Sequence, residues 1–323
     1  MNSTLADEAL EVGVVLRGSI EAAGGVDLLR RAVREPALRS AAGDLVGAMG
    51  LWDLRPLHDQ LELEVAAAAS EAAGYYALPY PVTERLAAAD SSGALALVDG
   101  SARPLIAHAD LPFEWSGVEL DGRLHRLEEG STVLGTELAP FATRVASAPL
   151  GETRPAAAAL AATLQTWWLL GLLRHAAADT VKYTREREQF GRPLIKFQAV
   201  GFQLAEMSVE LESLGELAKY TLWRLAQDGD GALVDAIALR TTALDTASTV
   251  LHITHQLHGA MGFTDEVDVS WLSRASQLAR RLPEGAHASA GRLVALIEDE
   301  GWAEFGRGER VAAQPASAVT SSE

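Results

Sequence analysis

The stretch YTREREQFGRPLIKFQAVGFQLAEM, residues 183–207, joins the end of one helical pattern to the start of the next through a densely charged run. A helical pattern that begins at Pro155 leads into it. From Ile195 onward, apolar residues recur at alternating steps of three and four, which is typical of helices in antiparallel bundles. Taken alone, the charged run indicates an exposed helix end, with Gly191 and Pro193 in the turn between two helices.

The pattern continues toward the C-terminus. A third helix is predicted at 233–258 and a fourth at 269–281, followed by one further helix. Together these segments predict a C-terminal four-helix bundle over residues 153–303. Residues 304–323 show no apolar periodicity, so we expect a disordered tail there.

The chain that precedes the bundle divides into two parts. Residues 1–92 are rich in Ala and Leu with helical periodicity, including one stretch at 26–49 and another at 57–73, and predict a helical N-terminal domain. Residues 93–152 contain short alternating apolar runs separated by Asp-Gly and Glu-Gly turns, which predict a small antiparallel β domain. The predicted fold class is therefore mainly α with a small β insert.

Composition excludes several classes of function. The 323 residues carry 27 basic and 44 acidic side chains, a net charge of −17, which disfavours binding to nucleic acid or to an anionic membrane. Cysteine is absent, so disulfides, thiol nucleophiles and cysteine-ligated metals are excluded. No apolar run approaches the ~18–20 residues needed to span a bilayer, and the start MNSTLADEALEVG lacks the pattern of a signal peptide. We expect a cytoplasmic protein.

Two motifs carry a resemblance to a known family. Residues 183–207 resemble the signature of the C-terminal bundle of acyl-CoA dehydrogenases, Y-x-x-x-R-x-x-F-G-x-x-[IL]-x-x-F-Q followed by L-A-x-M. Downstream, QLHGAMGFT at 256–264 resembles the family motif Q-x-x-G-G-x-G-[FY], with Ala260 in place of the second glycine. The resemblance implies an acyl-CoA dehydrogenase-like fold, with a helical N-terminal domain, a reduced β domain and a C-terminal four-helix bundle. It also implies FAD as cofactor.

The resemblance implies roles for particular residues, because in this family the bundle of one subunit contacts the ADP half of the FAD held by its dimer mate. Arg187 matches the arginine that binds the pyrophosphate, a task suited to the guanidinium fork. Phe190 would pack near the adenine and ribose, and Gln198 and Gln256 would hydrogen-bond the adenosine or pyrophosphate. The Gly259-Ala260 turn would let the backbone approach the cofactor.

Other family features are missing. We find neither the T-E-P-x-A-G-S-D-like loop nor the W-x-[TS]-like strand that hold the flavin ring, and the shortening falls in the β domain. The family's catalytic base is commonly the Glu of a Y-E-G-T motif. Pro-Glu-Gly-Ala at 283–286 makes Glu284 the candidate, with a surface Glu in a turn as the alternative. The other family position for the base falls near Ala161, where no carboxylate is present.

The combination resembles the short partner subunits of actinobacterial-type α2β2 acyl-CoA dehydrogenases, which act on fatty acyl or steroid side-chain thioesters. The implied function is to complete the partner's FAD site in an enzyme that introduces an α,β double bond into an acyl-CoA. The implied partners are a full-length dehydrogenase subunit, the acyl-CoA and an electron-transfer flavoprotein as acceptor. Two alternatives stay open: a self-sufficient homo-oligomeric dehydrogenase with Glu284 as base, and a non-catalytic scaffold.

Histidines recur every three residues at His252, His255 and His258. A metal site is not expected from them, because no Glu-x-x-His pairing accompanies them. Trp167 and Trp168, on the first bundle helix, are expected in the core or at an interface.

Overall fold

The computed structural model describes residues 4–88, 92–128, 132–133 and 139–300; the predicted tail at 304–323 lies outside them. Five helices come first, then seven strands, then a long helical region interrupted by one small hairpin. The predicted class, mainly α with a small β insert, is confirmed. The strands run from Gly93 to Thr153, between the two helical regions.

The N-terminal helices are α1 (Asp7–Ala22), α2 (Val26–Arg34), α3 (Leu38–Gly47), α4 (Gln60–Tyr75) and α5 (Val82–Ala87). The expectation of one continuous helix over 26–49 is wrong, because the chain leaves the helix between Arg34 and Leu38. Pro36 explains the break: a proline disfavours helical backbone in the residue before it, and Glu35 has φ −124° and ψ 78°.

The strands are β1 (Gly93–Leu97), β2 (Leu105–Ala107), β3 (Glu114–Val118), β4 (Arg123–Leu127), β5 (Thr132–Val133), β6 (Ala142–Arg144) and β7 (Ser147–Thr153). They form one sheet of order β1-β3-β4-β7 and another of order β2-β6-β5. The expectation of purely antiparallel pairing is wrong for β1 and β3, which pair in parallel. The chain between them crosses into the second sheet through β2, so the two strands are not joined by a hairpin.

The C-terminal region comprises α6 (Pro155–Glu186), the hairpin strands β8 (Glu188–Gln189) and β9 (Arg192–Pro193), α7 (Gln198–Gln227), α8 (Leu233–His258), α9 (Asp268–Arg281) and α10 (Ala286–Glu300). The predicted seam of α7 is buried from its third turn onward, at Met207, Leu211, Leu214, Ala218, Thr221 and Leu225. Its first two turns are more open, and Phe202 is 66% exposed there.

The N-terminal helices and the bundle meet where α4 crosses α6. A Cβ placed on Gly74 would lie 1.9 Å from the carbonyl oxygen of Trp168, and one on Gly171 would lie 2.1 Å from that of Glu71. No other residue type fits at either position, so the backbones of the two helices touch directly. This contact holds the N-terminal helices against the bundle.

Helix α6 is long and apolar enough, by length and composition, to cross a membrane. The expectation that no stretch meets this test is therefore wrong. However, 78% of its most apolar window is buried inside the protein. Leu160, Leu164, Leu170 and Leu173 are almost wholly enclosed by neighbouring elements, which is the environment of a core helix in a folded domain.

Candidate functional site

The two sequence motifs meet at one end of the bundle. The ring of Tyr183, near the end of α6, stacks on the ring of His258, the last residue of α8, with centroids 4.5 Å apart and an interplanar angle of 20°. One turn earlier on each helix, the Thr180 hydroxyl donates to the Thr254 hydroxyl at 3.3 Å. The segments that follow both helices therefore leave the bundle side by side.

The first motif folds into a two-residue hairpin whose tip is Phe190-Gly191. Both tip residues have positive φ, 53° and 79°, as a type I′ turn requires. Asn and Gly are favoured in that turn, whereas a residue with a large side chain pays about 1–2 kcal/mol for left-handed backbone. Phe190 is nevertheless 90% exposed. An aromatic ring held in a strained turn and facing solvent indicates a contact with a group outside the chain.

The second motif forms an open turn. Gly259 has φ 59° and ψ −138°, a conformation that favours glycine, and no heavy atom lies within 4 Å of where its Cβ would be. Ala260 beside it is exposed. Gly262 differs, because a Cβ there would lie 3.1 Å from the Cβ of His258 and 3.2 Å from Nδ1 of His255. The Gly259-Ala260 backbone is thus accessible, while Gly262 is needed for packing.

The polar residues of both motifs are free to bind. Arg187, Gln198 and Gln256 are exposed. Within the described ranges, none of their side chains forms a hydrogen bond or an ion pair. We call the surface formed by these residues the motif face; it comprises Arg187, Phe190, Gln198, Gln256, Gly259 and Ala260.

The charge of the motif face suits an anion. Gln198 is the first residue of α7, and no acidic residue occupies the first turn of that helix. Helix N-termini attract negative charge through their free backbone N–H groups. Arg187 adds a full positive charge next to the hairpin, where Leu194 N–H donates to the Arg187 carbonyl at 2.8 Å. A diphosphate is the kind of group that this arrangement can bind.

A separate cavity lies between α5, the strands β1 and β2, α6 and α9, and its volume is about 90 Å³. Its lining is mostly apolar, with Tyr80, Thr83, Glu84, His108 and Gln165 as polar exceptions. Burial raises the pKa of the Glu84 carboxyl, although the Thr83 hydroxyl donates to it at 2.9 Å. Burial, reinforced by the charge of Arg39, lowers the pKa of His108 to about 3, so this imidazole is neutral at ordinary pH.

Sequence reasoning did not identify Glu84 or His108 as site residues, because they come from different elements that only the fold brings to one cavity. The Nδ1 atom of His108 is buried and, in the described part of the chain, has no hydrogen-bond partner. A carboxyl with a raised pKa beside a neutral imidazole in an apolar cavity is the kind of environment found at functional sites.

The candidate base Glu284 does not line this cavity, and its side chain has another partner. Its carboxylate binds Arg292 of α10 in a bidentate pair, with both N–O distances 3.0 Å. The nearby buried Arg240 donates to the backbone carbonyls of Leu282 and Glu284, not to the carboxylate. Glu284 as the base stays a prediction.

The three regularly spaced histidines also point in different directions. His258 stacks on Tyr183, His255 stacks on Phe263 with centroids 4.9 Å apart, and His252 is exposed. They do not come together as a cluster of ligands.

Comparison with known proteins agrees with this geometry. Residues 143–295 match the family model "Acyl-CoA dehydrogenase, C-terminal domain". The chain is 34% identical over 111 residues to the short-chain specific acyl-CoA dehydrogenase of Megasphaera elsdenii. That match covers 34% of this chain and 29% of the relative, so it spans less than a third of the relative's length.

Solved structures resemble the chain over nearly its whole length. A chain of the ChsE4-ChsE5 complex from Mycobacterium tuberculosis superposes with a TM-score of 0.74 at 18% identity, covering 93% of this chain and 100% of that one. A variant of the Tcur3481-Tcur3483 steroid ACAD gives 0.69 at 23% identity, covering 92% and 99%. At these identities the likeness establishes the fold.

Residues 143–295 thus belong to the acyl-CoA dehydrogenase family as its C-terminal domain, and the chain as a whole has the acyl-CoA dehydrogenase fold. The family resemblance inferred from the two motifs is confirmed, and FAD is the cofactor of this family. Both motifs lie inside the matched region, and the cavity residues Glu84 and His108 lie outside it.

Proposed function

We propose that this chain is a subunit of an FAD-dependent acyl-CoA dehydrogenase, and that its motif face completes an FAD site held by a full-length partner subunit. The enzyme would be a cytoplasmic α2β2 assembly that introduces an α,β double bond into an acyl-CoA and passes electrons to an electron-transfer flavoprotein. The observation that carries the proposal is the exposed Phe190 ring beside unpaired donors, on the face where both family motifs meet.

The donor set of the motif face fits the ADP half of FAD. Arg187 offers a planar fork for the diphosphate, and the amides of Gln198 and Gln256 can both donate and accept hydrogen bonds. Phe190 offers an exposed aromatic face against which a purine can stack. The open backbone at Gly259 leaves room for close approach. These groups face outward, which suits a cofactor carried by another subunit.

The cavity next to Glu84 and His108 is too small for the flavin ring. Ligand pockets commonly measure about 300–1,000 Å³, whereas the cavity next to Glu84 and His108 measures about 90 Å³. A tricyclic ring with an acyl group beside it needs more space than this cavity provides. The chain also lacks the T-E-P-x-A-G-S-D-like loop and the W-x-[TS]-like strand that hold the flavin ring in the family. On both grounds, we assign the flavin ring and the substrate to the partner's side of the assembly.

The chemistry that FAD supplies in such enzymes is acceptance of a hydride from Cβ of the thioester, coupled to loss of the Cα proton to a base. In this chain, Arg187 would offset the charge of the diphosphate and fix its position. Phe190 would cover the adenine and exclude water from the contact. Gln198 and Gln256 would set the orientation of the cofactor, so that its reactive end stays aligned in the partner.

Relatives with known assemblies support the proposed partnership. The ChsE4-ChsE5 and Tcur3481-Tcur3483 structures are each described as formed by two named components, and the latter is described as a steroid ACAD. By analogy, the proposed substrates are bulky acyl-CoAs such as steroid side-chain thioesters. Analogy of fold supports this choice of substrate, while the pairing itself rests on the motif face.

The proposal is tested by flavin content in the purified complex of this chain with its partner dehydrogenase. Arg187→Ala should lower the FAD retained per complex severalfold, because one of the charges that hold the diphosphate is lost. Arg185→Ala is the matched control: it is also exposed at the end of α6, and it should retain FAD. Equal retention in both variants would overturn the role of Arg187.

One observation favours the alternative of a self-sufficient dehydrogenase. Glu84 is a carboxyl with a raised pKa in an apolar cavity, the environment that a catalytic base requires. Under that alternative, the chain purified alone would contain flavin. If Glu84 is the base, Glu84→Gln would abolish turnover without loss of flavin. If Glu284 is the base, Glu284→Gln would have this effect instead. Absence of FAD with any partner would instead favour the non-catalytic scaffold.

A further inference from the structure

A histidine and two aspartates converge at a place that the proposed function does not use. His175 and Asp179 lie one turn apart on α6, and Asp268 begins α9. The Nε2 atom of His175 is 3.5 Å from an Asp179 oxygen and 3.9 Å from an Asp268 oxygen. All three ligand atoms lie within 4.8 Å of one another. Their sequence spacing crosses two helices, so no linear motif could reveal the cluster.

The histidine is held in an orientation that suits metal binding. Its Nδ1 is 2.5 Å from the carbonyl oxygen of Tyr75, and since a carbonyl only accepts, Nδ1 carries the proton. The ring stacks on Tyr75 with centroids 4.5 Å apart, and only 8% of the side chain is exposed. In metal sites, a histidine ligand commonly donates one imidazole N–H to a backbone carbonyl while its other nitrogen binds the metal.

The charges of the cluster favour a cation between its two carboxylates. Arg30 binds the other oxygen of Asp268 at 2.5 Å, which leaves Oδ2 directed toward His175. The ligand oxygens of Asp179 and Asp268 lie within 4.8 Å of each other. Two carboxylates close together are stabilised when a positive charge is placed between them.

We propose that Nε2 of His175 and one carboxylate oxygen each of Asp179 and Asp268 bind a divalent transition-metal ion, with Zn²⁺ the preferred ion and water completing its coordination. One imidazole with two carboxylates is a ligand set that zinc accepts. Around an ion with bonds of about 2.0–2.1 Å, tetrahedral ligand atoms stand about 3.4 Å apart. The observed 3.5 and 3.9 Å need only small rotations of the two carboxylates, which are about one-third exposed.

The ion would connect three parts of the fold. It would link α6 directly to the first residue of α9. Through the Tyr75 carbonyl it would also fix the end of α4, and through Arg30 it would fix α2. Its role is therefore structural, and metal binding should be visible as stability of the whole chain.

The test uses the full chain, freed of metal with a chelator and then given Zn²⁺. Metal retained after gel filtration is measured by elemental analysis, and the unfolding temperature is measured with and without Zn²⁺. We expect one ion per chain and a rise in Tm of about 4 °C at 100 times the dissociation constant. Neither measurement depends on flavin, so failure of the metal proposal can be distinguished from failure of the proposed function.

Variants locate the site. Asp179→Asn, at a partly exposed position, should weaken Zn²⁺ binding at least about tenfold and lower the rise in Tm by about half or more at the same Zn²⁺ concentration. His252→Gln, at an exposed histidine on α8, is the control and should bind Zn²⁺ as the unchanged chain does. Absence of stoichiometric Zn²⁺ in the unchanged chain, or equal binding by Asp179→Asn, would overturn the proposal.

Discussion

Tyr183 and His258 stack face to face at 4.5 Å, and this contact joins the two segments that carry the family motifs. Tyr183 lies in the last turn of α6, His258 is the last residue of α8, and each helix is followed by a turn with positive φ. His258 is fixed further because its Nδ1 lies 2.9 Å from the Thr254 carbonyl oxygen. This pair of rings, with the Thr180–Thr254 hydrogen bond one turn earlier, helps to set the relative position of the hairpin and the Gly259 turn.

Removal of this stack should loosen the motif face without unfolding the bundle. An aromatic pair contributes about 0.5–1.5 kcal/mol beyond the burial of its surface. Tyr183→Ala should therefore lower both the free energy of unfolding, by about 2 kcal/mol, and the FAD retained by the complex. Tyr183→Phe keeps the ring and should retain FAD. A Phe variant that loses flavin to the same extent as the Ala variant would show that stacking is not the reason.

Phe190 should lower the stability of the isolated chain and strengthen its association with the partner. Asn is favoured in the first position of a type I′ turn, so Phe190→Asn should stabilise the isolated chain by about 1 kcal/mol, measured by urea unfolding. The same variant should weaken association with the partner and lower its flavin content, because the exposed ring is lost. Unchanged association and flavin content would show that the strained ring serves no binding function.

The crossing of α4 and α6 should tolerate no side chain. Gly171→Ala would place Cβ about 2 Å from the Glu71 carbonyl oxygen, and we expect destabilisation of about 3 kcal/mol or more. Gly18→Ala in α1 is the matched control, since no atom lies within 4 Å of its Cβ position. It should stabilise the chain by about 0.5–1 kcal/mol. Thermal unfolding of the two variants measures both effects.

His108 should make the chain sensitive to acid. Its pKa is lowered to about 3 in the folded state from an ordinary value of 6.5, so the unfolded chain binds this proton first as pH falls. Stability from the neutral imidazole is fully present above pH 6.5 and declines toward pH 3, at about 1.4 kcal/mol per pH unit or less. His108→Asn should flatten this slope in urea unfolding at several pH values. An unchanged slope would contradict the account of His108.

Local patterns predicted much of the fold. The helix at 233–258 was predicted at the limits where α8 is found, and Pro155 was predicted as the start of α6. The helix break at Pro36 could have been predicted, because a proline in a helical pattern is a stop signal. The parallel pairing of β1 with β3 could not have been predicted, since it depends on a crossover through a second sheet.

Some of the candidate sites could be predicted from the sequence and others could not. The motif face could be predicted because its residues lie in two short, family-specific stretches. Glu84 and His108 could not, because their shared cavity arises only when separate elements pack together. The cluster at His175 was missed for the same reason, since Asp268 comes from a different helix. Short-range signals identify motifs, whereas tertiary packing creates cavities and ligand clusters.

The proposed function requires that the motif face of this chain binds FAD that another subunit holds. The most direct measurement is the visible absorbance spectrum of the chain purified alone and of the chain co-expressed with its partner dehydrogenase. We expect a colourless protein alone and a yellow complex with a flavin spectrum. A yellow protein purified alone would contradict the account, and would make Glu84 and Glu284 the residues to test for catalysis within this chain.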